Sequence, residues 1–193
     1  MQKQTRGASL KTLIINGSPR KNGDTAALLD VLKAALKGEI TEISAYYDKI
    51  SPCIDCRACW KTGKCVIKDR MELIYDDDFD NVIIASPVHM SNLPGPLISL
   101  AGRFQAHYAS GKFLGAVPKL KCKNGALILV GGGDGAADKA IASAKWMFKA
   151  MNAKLDDEAV ILSLNTNNAA AIEDEEAIQK VRNVTIKLNR EAN

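Results

Sequence analysis

The chain has 193 residues, 47% apolar and 25% charged, with a formal net charge of +4 and a pI near 8.7. That length suits one domain with a real core, and the charge is too mild and too scattered to argue for nucleic acid. No apolar run approaches the roughly 18 residues of a membrane span, and the basic start MQKQTRGASLKT has no apolar stretch behind it, so a cytoplasmic protein without a signal peptide is expected.

Residues 1–10 read as a flexible tail. Thr12 to Asn16 reads as a buried strand that stops at Asn16-Gly17. A polar loop follows, and from about Thr25 to Lys37 apolar residues take helical spacing at Ala26, Leu29, Leu32 and Leu36, with Gly38 as the C-cap. Ile40 to Ile43 reads as a second strand. Ser51-Pro52 opens a cysteine-bearing insertion over 52–70, and Met71 to Tyr75 reads as a short helix. Asp76, Asp77, Asp78 and Asp80 lack the glycine and distal glutamate of a calcium loop and read as a solvated turn.

The continuous apolar run Asn81 to Ala85 fits a central parallel strand. It empties into Ser86-Pro87, and a helix is expected from about Leu97 to Ala109. Lys119, Lys121 and Lys123 read as a solvated strand edge, and Cys122 as a core residue. Gly125 to Val130 is a further buried strand, followed by a glycine-rich turn at 131–135. A helix over Ala136 to Met151 would pack Trp146 and Phe148 on the sheet. Ala159 to Leu164 is a fifth strand. Glu173 to Asn189 is a last helix, acidic in its first turn and basic later at Lys180, Arg182 and Lys187, which suits the macrodipole.

Strands alternating with helices predict an α/β fold: a single domain over 1–193, a three-layer sandwich with helices on both faces of a five-stranded parallel sheet. The flavodoxin-like order 2-1-3-4-5 fits, and ligands in such sheets bind beyond the carboxyl ends of the strands. Three loops there have unusual composition: Ser18 to Thr25, Ser86 to Pro94 and Gly131 to Gly135. The first has phosphate-binding character. Its helix N-terminus offers free N–H groups and about half a positive charge, Ser18 and Thr25 carry hydroxyls, Arg20 can clamp oxygens, and Asn22-Gly23 can turn the backbone. The plainer reading is an ordinary strand–helix connection with Asp24 or Thr25 as N-cap. The glycine spacing and Gly-Lys-Ser/Thr ending of a P-loop are absent.

Four of the five cysteines, Cys53, Cys56, Cys59 and Cys65, lie within thirteen residues in the pattern C-x2-C-x2-C-x5-C. In a chain without signs of secretion this argues for metal or redox chemistry. Three thiolates at a spacing of three can wrap one face of a cubane cluster, and a fourth beyond a Gly63 turn can close it. Structural zinc and unliganded thiols stay open as alternatives, although zinc more often uses two separated pairs.

GSPRKNGDT at 17–25, SPVHMSNLPGPL at 86–97 and PCIDCRACWKTGKCVIKDRM at 52–71 resemble the flavodoxin-like NADPH-dependent FMN reductases, and within them the iron–sulfur flavoprotein branch. The resemblance implies an FMN-dependent oxidoreductase or electron-transfer flavoprotein. It implies that Ser18, Arg20, Asn22 and Thr25 hold the FMN phosphate, that Pro87, Val88, His89 and Met90 run beside the flavin, and that Gly131, Gly132, Gly133 and Asp134 pass its other side. Asp24 stands where the family often has Asn, and His89 where it often has an aromatic residue; Asp24 is expected to cap the helix and point away from the ligand. A 4Fe-4S cluster on Cys53, Cys56, Cys59 and Cys65 is implied, with NAD(P)H as a possible donor, a redox protein or small molecule as acceptor, and a homodimer or homotetramer as the assembly. No side chain is expected to serve as general acid or base, since the cofactor carries the chemistry.

Two other functions are distinguishable. A cluster-free NAD(P)H-dependent FMN or quinone reductase keeps the flavin alone, and a non-enzymatic module would be held by zinc at the cysteines. Gly131, Gly133 and Ala136 also spell G-x-G-x-x-A, as in a nicotinamide-dependent dehydrogenase, but after the fourth strand rather than the first.

Overall fold

The computed structural model describes residues 9–76, 78–133 and 136–190. Strand β1 (Lys11–Asn16) leads to helix α1 (Asp24–Ala35), β2 (Glu39–Ser44), the short helices α2 (Ala58–Thr62) and α3 (Met71–Tyr75), and β3 (Asn81–Pro87). Helices α4 (Gly95–Gly102) and α5 (Gln105–Leu114) precede β4 (Lys123–Val130). Helix α6 (Asp138–Ala150), strands β5 (Ala153–Lys154) and β6 (Val160–Ser163) and helix α7 (Glu175–Leu188) complete the order.

All pairings are parallel, in the order β2-β1-β3-β4-β5, with β6 also against β4. Among the described residues the sheet therefore has six strands, not five. Its last position is split: β5 pairs with Lys123 and Asn124 at the start of β4, and β6 with Leu127 to Val130 at its end. A two-residue strand shows no alternation, so no pattern marks Ala153–Lys154 in the sequence.

Alternation along the strands sorts side chains onto two faces. Ile14, Ile83, Ala126 and Ile128 pack against Leu28, Leu29 and Leu32 of α1 and Val181, Val184 and Leu188 of α7. Leu13, Ile15, Val82, Ile84, Leu127 and Leu129 face α3, α4 and α6. The three-layer sandwich follows, because strands buried on both faces need helices on both.

Several local expectations change. Helix α1 ends at Ala35 with Leu36 as C-cap; Gly38 instead turns the chain into β2 at φ +90°, where a Cβ would lie 2.0 Å from the Leu10 carbonyl oxygen. The expected helix over Leu97 to Ala109 is two helices that break at Arg103-Phe104. Lys123 is buried in a central strand rather than set on a solvated edge, and its ammonium donates to the carbonyls of Lys121 and Met151. Cys122 is exposed, not in the core. Phe148 is buried on the sheet as expected, but Trp146 is half exposed and meets the Phe104 ring edge-on. Asp77 of the acidic run and most of the expected tail lie outside the described residues. Asp80 is not merely solvated, since its carboxylate accepts from the Lys11 amide and from Lys121.

Candidate functional site

The buried strand β1 delivers Asn16 to the carboxyl edge of the sheet, where Gly17 donates its amide to Ala85 of β3 at 2.8 Å. A Cβ on Gly17 would lie 2.7 Å from Leu97 Cδ2 and 2.8 Å from Ser86 Oγ, so only glycine lets the loop pass this close to β3. The loop folds on itself: the Asn16 side chain accepts from the Ser18 amide, and Ser18 Oγ accepts from the Arg20 amide and donates to the Arg20 carbonyl. Ser18 and Thr25 are buried, whereas Arg20 and Asn22 are exposed.

Gly23 occupies the N-cap of α1 and offers no side chain to the first-turn amides. Asp24 is therefore not the cap. It stands one residue inside the helix, where one carboxylate oxygen accepts from the Ala171 amide at 3.0 Å and the other pairs with Arg20 at 3.3 Å. The loop after β2 braces the far side: Tyr47 donates its hydroxyl to the Pro19 carbonyl, and Lys21 Nζ lies 4.9 Å above the Tyr47 ring. No local pattern marks that brace, since Tyr47 and Pro19 lie 28 residues apart.

Strand β3 ends at Pro87, which pairs with Val130 of β4, and the Val88 amide donates to the Val130 carbonyl. His89 and Asn92 exchange backbone hydrogen bonds across a tight turn in which Met90 and Ser91 take positive φ; Met90 is 97% exposed. Val88, Met90, Ser91, Gly131, Gly132 and Gly133 line one depression of about 310 Å³. Gly131 and Gly132 are held by the loop after β6, whose Thr166 and Asn167 amides donate to their carbonyls. A Cβ on Gly132 would come within 2.5 Å of Asn167 Oδ1. Asp134 lies outside the described residues.

Cys53, Cys56, Cys59 and Cys65 are all free thiols, and all four line a single cavity with Arg57, Trp60 and Arg103. The chain coils around it through left-handed residues at Asp55, Arg57 and Gly63. Gly63 is the turn that the spacing called for; it caps α2 and donates its amide to the Cys59 carbonyl. Among the described residues, no three His, Cys, Asp or Glu side chains close round a single ion. Burial pushes the Cys59 thiol up, and the neighbouring Cys53, Cys56 and Cys65 add to the shift.

Sequence reasoning missed what holds this segment. Arg103, at the break between α4 and α5, is fully buried. Its guanidinium donates to the Ser51 carbonyl at 2.8 Å, Asp69 at 2.7 Å and the Ile67 carbonyl at 3.2 Å, which ties both ends of the insertion to one side chain. Tyr75 donates its hydroxyl to the Arg103 carbonyl at 2.6 Å. Burial pushes the Asp69 carboxyl up, but the Arg103 hydrogen bond and the Ser51 and Met71 amides outweigh it and hold it below the usual carboxylate range. The signal was an arginine inside an apolar helical run, a residue type rarely buried without a partner. On the outer side, Trp60 stacks on Phe113 of α5 at 4.2 Å.

A parallel sheet in this order, with its polar loops gathered where β1 and β3 part, defines a flavodoxin-like α/β protein with a four-cysteine segment added after the second strand. Residues 10–165 match the model of the NADPH-dependent FMN reductase family, and the chain belongs to that family. It is 32% identical over 149 residues to the iron–sulfur flavoprotein of Methanosarcina thermophila, which covers 72% of this chain and 73% of that protein. It is 39% identical over 90 residues to an iron–sulfur flavoprotein of Clostridioides difficile, covering 42% of this chain. The match spans only 40% of the length of the Clostridioides protein, and 56% of that of an Archaeoglobus fulgidus iron–sulfur flavoprotein. Among solved structures, the fold is similar to the FMN-dependent NADH-azoreductase of Bacillus anthracis, with TM-score 0.68 and 20% identity over 93% of this chain and all of that one.

Proposed function

We propose that this chain is an FMN-dependent oxidoreductase that also carries an iron–sulfur cluster on Cys53, Cys56, Cys59 and Cys65. The observation that carries the reading is the sharing of one cavity by these four free cysteines, on a chain of the FMN reductase family. The donor set fits the cluster: thiolates are soft ligands suited to iron–sulfur centres. The relatives' common description as iron–sulfur flavoproteins supports it. When bound, a flavin exchanges one or two electrons and a cluster exchanges single electrons, so the two together supply the redox chemistry.

The chain's own residues bind and orient. Ser18, Arg20, Asn22 and Thr25 hold the FMN phosphate at the α1 N-terminus, where first-turn amides and the helix dipole favour an anion. Asp24 keeps Arg20 beside that terminus through their ion pair. Pro87, Val88, His89 and Met90 flank the flavin on one side, and Gly131 to Gly133 on the other, where the lack of side chains permits a close backbone approach. NAD(P)H is the donor, a redox protein or a small molecule is the acceptor, and no side chain acts as general acid or base. The protein works in the cytoplasm as a homodimer or homotetramer. Among the described residues, no helix is long and apolar enough to cross a membrane.

The test uses protein purified anaerobically with iron and sulfide supplied. A flavin band, together with iron and acid-labile sulfide near four each per chain, is expected. Arg20→Ala should weaken FMN binding tenfold or more, as expected for loss of a charge-assisted bond worth about 1.5–3 kcal/mol. Flavin without iron or sulfide would leave the cluster-free reductase. Unchanged FMN affinity in both Arg20→Ala and Ser18→Ala would move the phosphate elsewhere.

A further inference from the structure

Arg103 has a second face. Two of its three nitrogens are engaged, Nη1 by Ser51 and Asp69 and Nη2 by Ile67. The third, Nε, is buried and has no acceptor. A buried donor left unsatisfied is destabilising, more so when charged, so such a group calls for an explanation. The side chain is fully enclosed, so bulk water does not supply the missing acceptor. Arg103 lines the cavity that the four cysteines line, together with Gln105 and Ala106 at the start of α5. Hydrogen bonds to cluster and thiolate sulfurs are among the factors that set the potential of an iron–sulfur centre.

We propose that Arg103 donates its Nε–H to a sulfur of the group held by Cys53, Cys56, Cys59 and Cys65, and thereby raises that group's reduction potential. The proposal rests on the cluster reading above. Nη1 and Nη2 fix the guanidinium plane against the two ends of the cysteine segment, and Nε is the guanidinium nitrogen left without an acceptor. The same residue thus positions the ligands and adjusts the charge they can carry. A donor to sulfur stabilises the reduced, more negative state, so its loss lowers the potential.

Protein reconstituted anaerobically with iron and sulfide gives the test, read as the midpoint potential of the cluster in an EPR-monitored titration. Arg103→Lys keeps the positive charge and removes the planar Nε donor. The expected result is a lower potential, by roughly a tenfold change in the oxidised-to-reduced ratio, or about 59 mV for a one-electron couple. A loaded Arg103→Lys protein with the wild-type potential overturns the proposal and leaves Arg103 a purely structural anchor. If that variant does not fold or load, wild-type protein labelled with 15N at arginine Nε decides. Pulsed EPR of the reduced cluster should show one coupled nitrogen that persists in Arg57→Lys; no coupling, or coupling lost with Arg57, overturns the proposal. Wild-type protein that takes up no iron or sulfide overturns the cluster reading itself, and this proposal falls with it.

Discussion

The loop after β1 and the segment after β2 leave neighbouring strands at the same edge of the sheet, yet they are held in opposite ways. The first is fixed from within: Asn16, Ser18 and Arg20 bond to one another across two residues, and Gly17 ties it to β3. The second is fixed from without: its anchors are Arg103 and Phe113, side chains of a later stretch of chain. A loop bonded largely within itself depends less on its surroundings. A segment hung from one buried guanidinium stands or falls with it.

The largest way to break this comparison is Asp69→Ala. It leaves the Arg103 guanidinium buried without its carboxylate, which should cost about 3–5 kcal/mol in denaturant unfolding and expose the cysteine segment to proteases. A loss below about 1 kcal/mol would mean that the pair is not the anchor. Acid sharpens the same point. The folded-state pKa of Asp69 is depressed, so its contribution is present above the unfolded value of about 3.9 and is lost as pH falls through the lower folded value. Wild-type protein should therefore lose more stability on acidification than Asp69→Asn; equal losses measured by unfolding at each pH would refute this.

Gly17→Ala comes next and attacks the other region. Its methyl would meet Leu97 and Ser86 at under 3 Å, an overpacking worth about 1–3 kcal/mol, and should weaken FMN binding by displacing the loop. Unchanged stability and unchanged fluorescence-monitored FMN affinity would show that β3 does not set the loop's position. Trp60→Ala removes the stack on Phe113 and should cost about 0.5–1.5 kcal/mol beyond the lost burial. Limited proteolysis should then speed up within 51–70 and not within 17–25; cleavage at equal rates in both would erase the contrast. The smallest effect belongs to Asp24→Asn. The amide can still accept from Ala171 but gives up a solvent-exposed pair with Arg20 worth about 0–1 kcal/mol, so thermal unfolding should hardly move. A large drop would show that the pair braces the helix.

Legibility in the sequence followed the same division. The strand–loop–helix at Lys11 to Ala35 was readable because its determinants are local: an apolar run, turn residues and helical spacing. Met71–Tyr75 and the Gly63 turn were readable for the same reason. Arg103 was not, because its partners Asp69, Ile67 and Ser51 lie 34 to 52 positions earlier in the chain. Burial of Lys123 has no local signal either, since the carbonyl of Met151 that accepts from it arrives from the far end of α6. Asp24 has the type and place of a cap, while its actual partner, Ala171, lies 147 residues away.

The split at the last strand position has a consequence for how copies of this chain can meet. A long bare edge of amides and carbonyls is a template for another chain's strand. Here that border is broken between Lys154 and Val160 by a 3-10 turn at Asp157–Ala159, and Asp156, Asp157 and Glu158 stand in the gap. The opposite border, β2, carries Glu39 and Glu42 among its six residues. Neither margin offers an uninterrupted uncharged row, so the sheet resists growth by stacking strand on strand.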